Sequence, residues 1–285
     1  MIRTALLILA TACAVFAGDA GRIRIAAANL TSGNHQSYSP DNANHSNPEG
    51  AGARILKGLK PDVVLIQEFN TTIPVRQWVN QTLGTDYKIV REDGPGIPNG
   101  IITRLPVIES GEWDDPAMDN RDFVWAKVAL PDGSRAWLVS VHLSAKKPAT
   151  RAAQAAALKG FLAGRVAPGE RIVIGGDFNT RSLDEACLGV LGAIVAVPGN
   201  PPVDAFGNPN TNAPRSRPYD GVFVDAGLSA LEKPVNIAGR LFPNGLVFDS
   251  RIFEPLDAVS PVQASDSGVQ GMQHMAVVRD FDFTE

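Results

Sequence analysis

Six apolar runs in this chain begin or end on a group that can ionise or hydrogen-bond. Residues 23–28 run into Asn29, 63–67 into Glu68, 137–141 into His142 and 172–176 into Asp177, with Asn179 two positions further on. Two runs start on such a group instead: Asp220 precedes 221–224 and His274 precedes 275–278. Short apolar runs bounded by Gly, Pro, Asn or Asp are the mark of strands. In a mixed sheet the C-terminal end of one strand lies beside the N-terminal end of an antiparallel neighbour, so all six positions can collect along one edge. Taken singly, each has a local reading: Asn29 as a turn cap, Glu68 as a loop start, Asp177 as an acceptor for the backbone at Asn179. Together they predict a polar cleft. Carboxylates pressed against apolar strands lose hydration, which is unfavourable unless a cation or hydrogen-bond donors compensate.

Between these runs the pattern alternates strand and helix. Ile23, Ile25 and Ala27 alternate along a first strand, and 51–59 carries helical spacing until Pro61 and Asp62 stop it. Further strands are expected at 63–67, 100–103, 124–130, 136–143, 171–174, 221–224 and 275–279. The clearest helix covers 149–162, with Ala153, Ala156, Ala157 and Phe161 as its expected apolar stripe and Arg151, Gln154 and Lys159 elsewhere. Pro131, Asp132 and Gly133 form a hairpin turn between two strands, so part of the sheet is antiparallel. The class is mixed sheet with covering helices. The polar stretch 34–50 is expected to be one long loop, of a length that is often functional.

The 285 residues carry a formal charge of −4, which excludes a highly basic nucleic-acid coat. Apolar residues make up 44% and charged residues 20%, as in an ordinary globular chain. Residues 1–20 stand apart: Arg3 is a positive start, 5–17 is an apolar run too short to span a bilayer, and Ala17 and Gly18 suit cleavage. We expect a signal peptide cut near 17–20, a single domain over 21–285, and a secreted or periplasmic protein of bacterial origin without a stable membrane anchor. A lipoprotein box at Cys13 is disfavoured, because Ala10 stands where Leu is usual. Cleavage leaves Cys187 as the sole cysteine, so the fold rests on its core and not on disulfides.

One carboxylate with an amide oxygen, the remaining positions left to water and phosphate, is a common way to hold Mg²⁺, and Glu68 with Asn29 supplies that set. Zinc fits less well: His35, His45, His142 and His274 offer no close-spaced ligand pair. The segments Asn29-Leu-Thr, Pro61-Asp-Val-Val-Leu-Ile-Gln-Glu68, Val139-Ser-Val-His142-Leu, Gly175-Gly-Asp177-Phe-Asn179-Thr, Pro218-Tyr-Asp220-Gly-Val and His274-Met-Ala-Val-Val resemble the endonuclease/exonuclease/phosphatase superfamily, typified by deoxyribonuclease I. They occur in the family's order. The resemblance implies a four-layer α/β/β/α sandwich of two mixed sheets with outer helices, and a Mg²⁺ or Mn²⁺ site at one end.

It further implies hydrolysis of a phosphate ester. Asp220 would orient His274, which acts on the attacking water or holds phosphate oxygens. Asp177 would align or activate that water, while Asn179 and His142 meet the oxygens on which charge builds, and Glu68 with Asn29 holds the metal. Two departures stand out. The acid expected immediately before the last histidine is replaced by Gln273, so Asp266 could fold back to supply a carboxylate with Gln273 as a neutral oxygen ligand, or be an ordinary turn residue. The acid expected near Asn99 to pair with His142 is also absent, which leaves His142 to find another partner. The nucleic-acid reading names Arg104, Lys146 and Arg217 as substrate contacts, with Lys147, Arg151 and Arg215 as further cations. A phospholipid or sugar-phosphate esterase is the alternative, with Trp78, Trp113 and Phe242 as candidate membrane-facing groups; an inactive binding homologue is the third reading. Oligomeric state stays open.

Overall fold

The structure, a computed structural model, describes residues 21–31, 38, 50–93 and 96–284. The strands are β1 (Arg22–Ala28), β2 (Val63–Ile66), β3 (Lys88–Arg91), β4 (Gly100–Thr103), β5 (Val107–Trp113), β6 (Phe123–Ala129), β7 (Arg135–His142), β8 (Arg171–Asp177), β9 (Asp220–Val224), β10 (Glu232–Lys233), β11 (Val235–Ile237), β12 (Arg240–Phe242), β13 (Leu246–Phe248) and β14 (Ala276–Asp282). The helices are α1 (Ala51–Leu59), α2 (Val75–Thr82), α3 (Pro148–Leu162), α4 (Ala186–Leu191) and α5 (Ala226–Ser229). Among the described residues no helix is long and apolar enough to cross a membrane. The expected signal peptide and most of the loop 34–50 lie outside the described residues.

The first sheet has the order β10-β14-β1-β2-β4-β3, with β13 also on β14; the second runs β5-β6-β7-β8-β9. Both are mixed, since β1 pairs β2 and β7 pairs β8 in parallel while their other neighbours are antiparallel. The sheets face each other, β1 against β8 and β9, β2 against β7. This is the four-layer sandwich expected from the sequence.

Side chains on a strand alternate between faces, and in β7 the alternation is explicit. Ala136 and Leu138 enter the core between the sheets, whereas Trp137, Val139 and Val141 join α3 and α4 in the outer cluster. Ser140 and His142 therefore point between the sheets. The same rule in β8 sends Val173 inward and Ile172 and Ile174 outward, so Asp177 also faces inward. Two glycines precede it because the backbone needs them. A Cβ at Gly175 would lie 2.4 Å from Leu65 of the opposite sheet, and Gly176 has φ 136° with its Cβ position 2.2 Å from the Val141 carbonyl. The strand expected over 171–174 extends through both glycines, and its ladder continues to Asp177.

The hairpin expected at 131–133 is present: the Leu130 N–H donates to the Ser134 carbonyl and Gly133 has φ 81°. The apolar stripe of α3 differs from expectation. Ala153 and Ala156 are exposed, and the buried face is Arg151, Gln154, Ala155, Leu158 and Leu162. Arg151 and Gln154 can be buried because they are fully engaged: Arg151 forks onto Glu185 at 2.7–2.8 Å and reaches the Ser144 carbonyl, while Gln154 accepts the Ser144 N–H and donates to Asp115.

Candidate active site

The six positions marked in the sequence meet at one end of the sandwich. The backbone ladder itself places three of them in a row, since His142 pairs with Asp177 and Asp177 with Asp220. Asn29 and Glu68 come from the ends of β1 and β2 across the gap, and His274 from the start of β14; all six are less than a tenth exposed. Glu68 sits at φ 51°, as does Asn179, a left-handed conformation that is uncommon outside glycine and lets the chain turn immediately after a strand.

Asp177 is the hub. Its Oδ2 accepts from Asn29 Nδ2 at 3.0 Å and Asn179 Nδ2 at 3.1 Å, and lies 3.3 Å from His142 Nε2 and 3.8 Å from His274 Nδ1. Its Oδ1 accepts the Asn179 N–H at 2.7 Å. Burial, and after it the Asp220 charge, pushes Asp177 up to about 7 against the opposing pull of His274 and these donors. Burial also raises Glu68, which accepts from Asn29 Nδ2 at 3.3 Å and lies 4.0 Å from His142 Nε2.

The two histidines are held in opposite states. His274 Nδ1 stands 3.0 Å from Asp220; burial opposes its charge, but Asp220 and Asp177 overcome that and raise it to about 9. His142 is lowered well below its ordinary range by burial, with the charges of Arg121 and His274 adding to it. Its partner is therefore Asp177, and its Nδ1 is buried without one.

Three supporting residues carried no signal in the strand pattern, and a fourth, Gln67, closes an expected strand without standing among the candidate site residues. Thr211 donates to Asp220 Oδ2 at 2.6 Å and accepts the Asp220 N–H at 2.9 Å. Arg121, buried, donates to the carbonyls of His142 and Leu143 at 2.7 and 3.2 Å and fixes the end of β7. Gln67 crosses between the sheets to donate to Ser140 at 2.9 Å, directly beneath Glu68 and His142. Tyr38 lies against the ends of β1 and β2. Arg121 was the cation to find, as an arginine on the approach to the β6–β7 hairpin, but it lacks the strand-end position that singled out the others.

Several expected site residues are elsewhere. Asp266 does not replace the missing acid: it is fully buried with both oxygens on Arg54 of α1, and its Oδ2 also accepts the Gln263 N–H. A carboxylate already neutralised by a guanidinium has no need of a second cation. Gln273 is exposed, because consecutive extended residues face opposite ways and His274 takes the inward side; the Gln273 carbonyl accepts from the Ala213 N–H. Arg104 pairs with Asp62 at the start of β2, the end opposite Glu68. Arg151 and Arg215 are also taken, by Glu185 and by Asp204 with Asp249. Lys146 is exposed on the loop after β7, and Arg217 is half-buried on the segment leading to Asp220, so both stay on loops that carry the site. Asn179 gives its amide N–H groups to Leu143 and Asp177, which makes it a holder of Asp177.

Three carboxylates, when all are ionised, outnumber the two cations beside them, the His274 imidazolium and the Arg121 guanidinium. Asn29 Oδ1 is buried with no hydrogen-bond partner while its Nδ2 donates to Glu68, and an orphaned amide oxygen on a residue that touches a carboxylate suits a hard divalent cation. Asp177, Asp220 and His274 also offer ligand atoms within 4.8 Å of one another. The residues present fit a cation.

A model of the endonuclease/exonuclease/phosphatase family matches residues 42–241. The chain belongs to that family. Its chemistry is the hydrolysis of phosphate esters, and this chain is a hydrolase of that type. Among solved structures, a family protein from Bacteroides vulgatus superposes with a TM-score of 0.60 at 15% identity, covering 92% of this chain and 99% of that one. TDP2 from D. rerio in complex with a single-strand DNA product gives 0.57 at 18%, with coverage of 92% and 99%. A family protein from Beutenbergia cavernae gives 0.55 at 15%, covering 92% and 72%. No curated protein matches the sequence.

Proposed function

We propose that the chain is a secreted or periplasmic, Mg²⁺-dependent phosphodiesterase that acts on nucleic acid. The observation that carries the reading is the inward convergence of Glu68, Asp177 and Asp220 on two histidines, His142 and His274. Glu68 and Asn29 would hold the cation, whose chemistry is to neutralise the phosphate and ease departure of the leaving oxygen. Mn²⁺ suits the same oxygen ligands.

The chain's own groups divide the remaining work. Asp177, raised to about 7, is poised to take a proton from water, with Asn29 and Asn179 holding its Oδ2 and fixing its orientation. Asp220 holds His274 through Nδ1 and keeps it charged, so the imidazolium serves as a donor to phosphate oxygens. Lys146 and Arg217 would meet the substrate backbone from the rim. Of the other readings, the lipid one named Trp78, Trp113 and Phe242, all of which are buried; the exposed large apolar groups among the described residues are Phe206, Leu241 and Ile108.

The test is hydrolysis of plasmid DNA, bis-p-nitrophenyl phosphate and p-nitrophenyl phosphate by wild type and His274→Ala, with Mg²⁺ or EDTA. Metal-dependent nicking of plasmid that the variant loses is the expected result. Cleavage of only the small esters would transfer the assignment to lipid or sugar phosphates, and turnover undiminished by EDTA would refute the metal. Export is tested by N-terminal sequencing of the secreted protein, expected to start near residues 18–21.

A further inference from the structure

We infer that the hydroxyl of Tyr38 is a positioning group for the metal-holding half of the site, tying the ends of β1 and β2 to a single point. The inference rests on the reading of Glu68 and Asn29 given above. Tyr38 belongs to the long polar stretch 34–50, where it is an isolated aromatic residue, yet it is fully buried. Its hydroxyl donates to the Ala28 carbonyl at 2.8 Å and accepts the Leu30 N–H at 2.9 Å, the two backbone groups on either side of Asn29. The same oxygen lies 3.4 Å from the carbonyl of Gln67, the residue before Glu68. One hydroxyl thus brackets both proposed ligands through their backbones.

The placement is built, not incidental. The ring stands edge-on to Phe69 at 5.7 Å and Trp78 at 5.8 Å, and the Trp78 indole N–H donates to the Tyr38 carbonyl. Burial keeps the hydroxyl protonated, above the ordinary tyrosine range, so it remains a donor. Strand ends lack ladder partners, and Glu68 leaves β2 in a left-handed conformation. The β1–β2 pairing ends at Ala28 and Ile66, and past it, among the described residues, only the Gln67 N–H to Ala28 carbonyl bond at 3.4 Å and the Asn29 amide on Glu68 at 3.3 Å tie the two ends together. The hydroxyl adds a third tie where the ladder stops.

Tyr38→Phe removes one oxygen and keeps the ring. Mn²⁺ affinity is measured by calorimetry on the purified full chain, for wild type, Tyr38→Phe, Glu68→Gln and Ile172→Val, with the melting temperature of each metal-free protein alongside. We expect Tyr38→Phe to bind Mn²⁺ about tenfold more weakly, as loss of a group that orients a ligand does, and to recover turnover at saturating metal. Ile172→Val, with a comparable loss of melting temperature, should bind as wild type does. Wild-type affinity in Tyr38→Phe, with binding abolished by Glu68→Gln, would overturn the role of Tyr38 alone. Unaltered binding in Glu68→Gln would overturn the metal assignment and the inference with it. Equal weakening in Ile172→Val would assign the effect to stability and overturn the positioning role.

Discussion

The two sheets deliver their halves of the site by different means. In the second sheet, His142, Asp177 and Asp220 are neighbours in the ladder, so backbone hydrogen bonds set their spacing before any side chain is considered. In the first sheet, Asn29 and Glu68 stand just past the last paired residues, and their positions depend on Tyr38, on a left-handed turn and on contacts across the gap. The difference teaches that the row His142, Asp177 and Asp220, proposed to handle protons with His274 of the first sheet, is spaced by topology, whereas the proposed cation-holding pair is held mainly by added hydrogen bonds. Substitutions in the second half should change chemistry with little change in metal demand; substitutions around the first half should do the reverse.

The largest effect is expected at the hub. Asp177→Asn should lower kcat by about 10²–10⁴, the range for losing a group that moves a proton in the transition state, and saturating Mg²⁺ should not restore it. Steady-state kinetics over a Mg²⁺ series checks this; restoration by metal would erase the division between the halves. Next comes Arg54→Met, which strands Asp266 as a buried unpaired carboxylate and should destabilise the fold by about 3–5 kcal/mol, read from denaturant unfolding. The Mg²⁺ concentration for half-maximal activity should stay at the wild-type value, because Asp266 is engaged with α1 and not with the site. A parallel rise in metal demand would return Asp266 to the ligand set.

A smaller effect concerns the charge on His274. Its folded value of about 9 exceeds the ordinary 6.5. Protonation thus favours the folded state: the stabilisation is fully present below pH about 6.5 and is lost as pH rises through about 9. In metal-free Asp220→Asn the His274 titration, followed by NMR, should move down by at least about one unit, since its first charge partner is gone. An unmoved titration would mean that Asp177 alone sets that charge. Least in size is the bridge between the halves: Gln67→Met and Ser140→Ala should each cost about 0.5–1.5 kcal/mol, and the double variant less than their sum, because both remove the Gln67–Ser140 bond, Ser140→Ala losing its bond to the Ile66 carbonyl as well. Strict additivity would show that the bridge does not couple the sheets.

Why the sequence disclosed some of this and hid the rest follows from the same contrast. Groups fixed by strand period were legible: Asp177 and Asp220 bound apolar runs whose alternation settles which way they point. The helix at 51–59 and the strand at 100–103 coincide with α1 and β4 because capping glycine, proline and apolar spacing agree there. The edge strand β5 was invisible, since Glu109, Ser110 and Glu112 break any apolar run. The α3 stripe misled because Arg151 and Gln154 are polar by type yet satisfied by distant Glu185, Ser144 and Asp115. Tyr38 and Thr211 act through contacts between segments of no regular period, which a linear pattern does not encode. Asp266 was drawn toward the site by proximity in sequence to His274, while Arg54, more than two hundred positions away, held it in place.

Glu68 and Asn29 are proposed to seat a cation beside Asp177, Asp220 and His274. Anomalous scattering from Mn²⁺ soaked into crystals of the chain would locate it. The expected result is a peak at about 2.0–2.2 Å from a Glu68 oxygen, with Asn29 Oδ1 turned toward it. A well-occupied peak elsewhere, with none at Glu68, would contradict it.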